Sequence, residues 1–339
     1  MTVDGESQQE IQERLIFVLS APRSGSTLLM RILNATSEIA SRSEPHLLPP
    51  LAHLGYWDCV DSAPYDQLQA QDAMRDWVSS FEEGDTVYFD ACRAYANTLY
   101  GQMLAQGGSS FFLDKTPANS LVLPFLKKLY PKAYYIVLTR HPAAIFASYV
   151  DSFFDGDDRA ASSFNPILSR YIPALANFLA DPAENVVHIQ YEDLVQQPQE
   201  SLRTISSFLQ IPFQEQALEY TRSSVEKGLG DPLGVEQHNR PVVDSVYRWV
   251  HFFKQHPQAQ ARLEEQLKSV SDEQLAYFGT SFNTLWDGLS HESAAKKRKT
   301  NRFLLERKIL IALRKDIHRR PHGAWVRSFR RMCDVLLRG

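Results

Sequence analysis

Residues 19 to 29 read LSAPRSGSTLL, a turn of small residues around one arginine. Backbone N–H groups around Gly25 and the start of the following helix can point at an anion, the hydroxyls of Ser24, Ser26 and Thr27 add donors, and Arg23 adds charge. Aligned on Gly25, the triphosphate-loop pattern G-x-x-x-x-G-K-[ST] puts Ser20 at its first glycine, Ser26 at its lysine and Thr27 at its last hydroxyl. The missing lysine argues against a β/γ-phosphate site. A second arginine, Arg140, stands at the end of another apolar run, with Ser148 eight residues on, two turns up a helix. Two anion sites at two strand ends imply a ligand with separated phosphates.

Such loops need strands before them and helices after them. Leu15 to Leu19 reads as a buried strand and Ser26 to Ala35 as its helix. Ala133 to Thr139 is a clearer strand, and Pro142 suits the first turn of the helix that runs to Asp151. Phe111 to Leu113 and Asn185 to Gln190 give two more strands; Ser120 to Tyr130 and Pro198 to Leu209 give two more helices, the first stopped by Pro131. The alternation predicts an α/β three-layer sandwich with a central, mostly parallel sheet. Stretches 66–82 and 91–106 predict a helical insertion over the ligand edge, and Gly228 to Asn239 a loop. Phe146, Tyr149, Phe153 and Phe154 share helical spacing and read as core or pocket wall.

LSAPRSGSTLL resembles the 5′-phosphosulfate loop, and VLTRHPAAIFASY the 3′-phosphate motif, of sulfotransferases that use 3′-phosphoadenosine 5′-phosphosulfate (PAPS). YEDL, beginning at Tyr191, and KGLGDP, beginning at Lys227 and Gly228, are similar to that family's later landmarks, the second to its C-terminal cofactor loop. These landmarks cover residues 15 to about 250. The resemblance implies a P-loop-like sulfotransferase fold, PAPS as co-substrate, and Arg23 in place of a loop lysine. It also implies a metal-independent transfer, because a sulfuryl group carries less charge than a phosphoryl group. In-line transfer needs a base for the acceptor hydroxyl and cations for the departing phosphate. Lys115 in FLDKTPANS resembles the family's active-site lysine, and Glu44 in SRSEPHLLPPL its catalytic or orienting glutamate. His238, in GDPLGVEQHNRP, resembles a base of sulfotransferase domains from cyanobacterial polyketide pathways of the curacin type, which act on a β-hydroxyacyl chain held by a carrier protein. Glu44 and His238 both stand as the base, and His46 competes with Glu44. The acceptor stays open among acyl chains on an acyl carrier protein, lipids, sugars and small metabolites.

The 339 residues fit one main domain, taken as 1–290, with a basic amphipathic helical extension over 291–339. Residues 296–339 carry 15 Lys/Arg against 3 Asp/Glu, while the rest carries 21 against 37. The apolar residues interleaved in that tail argue against nucleic acid and for contact with the acidic body, a carrier protein or a membrane surface. Three scattered cysteines, no apolar stretch near the roughly 18 to 20 residues of a membrane span, and the polar start MTVDGESQQE suggest a cytoplasmic protein. Two other readings stand beside the sulfotransferase. A small-molecule P-loop kinase would need the absent lysine. A non-catalytic nucleotide-binding adaptor would not need Glu44, Lys115 and His238.

Overall fold

A computed structural model describes residues 10–58, 65–219 and 246–290. His238, Lys227, Gly228, the loop 228–239 and the extension 291–339 lie outside the described residues. Among these residues, five strands form one sheet: β1 (Leu15–Ser20), β2 (Ile39–Ser43), β3 (Phe111–Lys115), β4 (Tyr134–Thr139) and β5 (Asn185–Gln190). Their order is β2-β3-β1-β4-β5, and every pairing is parallel. The central strand β1 is buried along its whole length, as a strand covered on both faces must be. Its side chains alternate between two cores. Leu15, Phe17 and Leu19 pack with Tyr135, Val137 and Phe146 on one face. Ile16 and Val18 pack with Leu29, Ile32, Ile136 and Ile205 on the other.

That alternation locates the ligand edge. The helix after β1, Ser26–Asn34, buries Leu29, Ile32 and Leu33 in the second core, whereas the helix after β4, Pro142–Phe154, buries Phe146 and Val150 in the first. Two adjacent parallel strands thus send their helices to opposite faces, and a crevice opens between their carboxyl ends.

Two sequence expectations are refined. The helix expected over Ser120–Tyr130 is a 3-10 turn, Pro117–Leu121, followed by the helix Leu123–Leu129, with a proline near the start of each. Proline lacks an N–H, so it is accommodated in a first turn and not within a continuous helix. Strand β2 (IASRS) had no sequence signal, because a sheet-edge strand needs few apolar residues. The insertion comprises the helices Tyr65–Ser79 and Gly84–Gly107, the latter ended by left-handed Gly108.

Candidate active site

The loop between β1 and its helix is shaped by two left-handed residues, Arg23 (φ 72°) and Gly25 (φ 94°). Gly25 is required twice over. Its φ suits glycine, and a Cβ there would stand 2.3 Å from the ring of Tyr191. Arg23 carries a side chain in a region that disfavours one, and its carbonyl is held by a 3.0 Å hydrogen bond from Nη1 of Arg140. The Arg23 guanidinium donates from Nε to Oγ of Ser148 at 3.1 Å and lies over the Phe153 ring. Arg140 stacks on Tyr191, its guanidinium carbon 4.1 Å from the ring centroid.

Arg23, Gly25, Arg140, Ser148 and Tyr191 are therefore one cluster at the β1/β4 crevice. Ser148 reaches the opening loop, through Arg23. Burial pulls Arg140 below the usual arginine range, and the nearby positive charges of Arg23 and Arg248 add to the effect, against the opposing influence of Tyr191 and Glu192. Three cations gathered this closely favour a multiply charged anion. Oγ of Ser24 is buried with no hydrogen-bond partner among the described residues, an orphan hydroxyl in the same loop. Ser26 and Thr27 open the helix behind it.

Strand β3 delivers Lys115 to the same edge. Its side chain is 1% exposed, and Nζ donates to Oε1 of Glu44 at 2.5 Å. The pairing follows from register, since Ser43 at the end of β2 lies opposite Lys115. Oε2 of Glu44 lies 3.4 Å from Nε2 of His46, which is half-exposed. Burial pushes the Glu44 carboxyl up, but the hydrogen bond to His46 and the charge and hydrogen bond of Lys115 outweigh it, so its pKa lies below the ordinary value. Beneath the pair, buried Asp114 accepts from Tyr100 at 2.6 Å and from Thr116 Oγ1 at 2.7 Å. Thr116 Oγ1 also accepts the His46 N–H at 3.4 Å, fastening the loop that carries Glu44.

Several residues here had escaped sequence reasoning. Ser120 clamps the end of β1: Oγ accepts the Ser20 N–H at 2.9 Å and donates to its carbonyl at 3.2 Å. His141 caps its helix by accepting from the Ala143 N–H and stacks on Trp249 at 4.9 Å. Burial, helped by the charge of Arg140, lowers its pKa to about 4, so it is neutral. Its N–H donates to Glu192, in the second position of the YEDL stretch. Tyr171, buried in the helix Ile167–Ala180, is pushed up to about 12 by burial, against the charge of Arg170 and with a smaller push from Glu44. Pro142 directly after His141 was the available signal for the cap; Arg248, Trp249 and Tyr171 had none.

Comparison with known proteins agrees with this architecture. A family model described as "Sulfotransferase family" matches residues 15–215. The nodulation protein NoeE of Sinorhizobium fredii (strain NBRC 101917 / NGR234) is 34% identical over 134 residues, 40% of this chain and 30% of that protein. Protein-tyrosine sulfotransferase A of Caenorhabditis elegans is 24% identical over 252 residues, 69% of this chain and 60% of that protein. The chain thus spans less than two thirds of the length of either relative. Among solved structures, a sulfotransferase domain from the curacin biosynthetic pathway is 23% identical, covers 74% of this chain and 96% of that chain, and superposes with a TM-score of 0.49. The family match begins at the first residue of β1 and ends beyond β5, so it contains the whole sheet and the crevice at its edge: the chain belongs to the sulfotransferase family.

Proposed function

We propose that this protein transfers the sulfonate of PAPS to a hydroxyl of an acceptor, and that the β1/β4 crevice is where it does so. The observation that carries the reading is the single cluster of Arg23, Arg140 and Ser148 on the Gly25 turn, beside the Lys115–Glu44 pair on the neighbouring strands. Arg23, Ser24 and the amides of Gly25, Ser26 and Thr27 would hold the phosphosulfate end; Arg140, with Ser148, the other phosphate, Tyr191 acting as the floor under both. Lys227 and Gly228 are proposed as further cofactor contacts. When bound, PAPS supplies a sulfonate on a phosphate leaving group. Lys115 and Arg23 offset charge on the leaving oxygens, and Glu44 takes the proton from the acceptor hydroxyl. Held ionised by Lys115, Glu44 is proton-free before the acceptor arrives. It is a stronger base once Nζ turns to the sulfonate. His238 is the alternative base.

No divalent cation is needed in this scheme, since arginine and lysine carry the charge. Among hydroxyl acceptors, a β-hydroxyacyl chain on a carrier protein is proposed, on the resemblance of the stretches SRSEPHLLPPL, FLDKTPANS and GDPLGVEQHNRP to the curacin type. A cytoplasmic location and the division at residue 290 belong to the same proposal.

Calorimetry with adenosine 3′,5′-bisphosphate and with ATP, each with and without Mg²⁺, tests the reading. Tight binding of the bisphosphate that ignores Mg²⁺ supports it. Preference for Mg-ATP would replace it by the kinase. Binding with no sulfonate transfer to any hydroxyl acceptor would leave the adaptor.

A further inference from the structure

Charge in this chain is segregated by segment. Residues 58–90 hold nine Asp/Glu against one Lys/Arg, while residues 296–339 hold three against 15. The acidic stretch is the helical insertion, and Asp72, Asp76, Glu82 and Glu83 are all exposed on it. Apolar side chains are exposed among them. Trp77 is 62% exposed and meets Phe81 edge to face at 5.2 Å. On the helix Gly84–Gly107, Val87, Ala91, Tyr95 and Leu99 follow one another at four-residue steps as a ridge on the outer side, with Tyr95 55% and Leu99 45% exposed. From residue 94 to 107 there is no charged residue at all. A solvated helix face ordinarily carries charge, so this outer side has the composition of a covered one.

The chain contains a segment that matches it in both respects. The tail mixes its 15 cations with Phe303, Leu305, Ile309, Leu310 and Leu313. It leaves the described residues just after Ser290, where Gly288 abuts Trp249, the residue stacked on His141 at the C-terminal edge of the sheet. The insertion is rooted at the same edge, after β2. The 49 residues from 291 onward can extend over more than about 100 Å, so reach is no obstacle.

We propose that residues 296–339 dock on the outer face of the helices Tyr65–Ser79 and Gly84–Gly107 of their own chain. Carboxylates of the insertion meet the basic side chains, and the Trp77 and Val87–Leu99 surfaces meet the apolar ones. The proposal is independent of the transfer reaction, and its test does not use activity.

The full-length chain is treated with a carbodiimide that joins lysine amines to carboxylates in direct contact, using an equal mixture of ¹⁴N and ¹⁵N protein, and the products are mapped by mass spectrometry. The expected links join Lys296, Lys299, Lys308 or Lys315 to Asp72, Asp76, Glu82 or Glu83 within one isotope. They fall several-fold in yield when salt is raised from about 0.05 M to about 0.5 M, as the Debye length shrinks. They fall likewise in a full-length Trp77→Ser/Tyr95→Ser/Leu99→Ser variant whose circular dichroism and bisphosphate binding are unchanged. Links that run to carboxylates elsewhere, or none, overturn the proposal. Links between isotopes overturn it in favour of a second copy, and a tail that instead sediments with phosphatidylserine vesicles while forming no links overturns it in favour of a membrane surface.

Discussion

Lys115 helps to hold Glu44 ionised, and the chemistry of the two can be separated by substitution. Glu44→Gln keeps the hydrogen bond to Lys115 but removes the proton acceptor; kcat should fall about 10² to 10⁴-fold with bisphosphate affinity nearly unchanged. If His238 is the base instead, the loss will appear in His238→Ala and not in Glu44→Gln. The depressed Glu44 pKa also fixes a sign. Its carboxylate persists below the ordinary value of 4.5, so the acid limb of kcat/KM lies below that pH. In Lys115→Met the cation is gone, the neutral acid is relatively favoured, and the limb should move upward along with a large loss of kcat. The pair's contribution to folding is present above the unfolded pKa and lost as pH falls through the lower folded value. Each residue was legible in sequence from its motif, but their contact was not. It spans 71 positions and depends on the register of β2, whose IASRS has no periodic signal.

The elements that position these groups are tight where backbone meets side chain. Gly25→Ala forces a methyl into the Tyr191 ring at a φ of 94°, and bisphosphate affinity should fall more than about 10-fold by calorimetry. Adding Tyr191→Ala relieves the collision but not the strained φ, and it removes the floor under Arg140, so affinity should stay low. Beneath Lys115, burial raises the pKa of Asp114 despite its bonds to Tyr100 and Thr116. Asp114→Asn keeps one acceptor oxygen and puts an amide N–H₂ where the other stood, so one of the two hydroxyls must turn to accept, and the cost in thermal unfolding should be smaller than that of removing both oxygens. Asp114→Ala orphans two hydroxyls and should cost about 1 to 3 kcal/mol for each one left unpaired. The strands β1 and β4 were readable as apolar runs because buried parallel strands have no polar face to disguise them. The edge strand β2 was not, and neither was the split at Pro124, which exchanges one helix for a 3-10 turn and a shorter helix.

Across the whole molecule, the crevice depends on segments far apart in sequence. Trp249 packs on His141, Phe253 and Trp286, and so ties the helix Arg248–Gln255 to the end of β4. Trp249→Ala should lower stability by about 3 to 5 kcal/mol in a denaturant titration. It should also weaken bisphosphate binding, since Arg248 and His141 lose their common support. The mostly parallel sheet that carries the crevice was implied by alternating strands and helices, whereas its strand order and the return of residues 246–290 to its rim were not. No spacing rule links Trp249 to a histidine 108 positions earlier; only the fold brings them together.

With its side chain 1% exposed, the Lys115 ammonium is sealed behind the carboxylate it binds. An amine-reactive label added to the free protein should therefore leave Lys115 untouched while modifying Lys128 and Lys268, which are 53% and 70% exposed. Its reactivity is thus a built-in gauge of site opening. Any acceptor or variant that draws Glu44 away would be recorded as a new adduct at one position, without turnover.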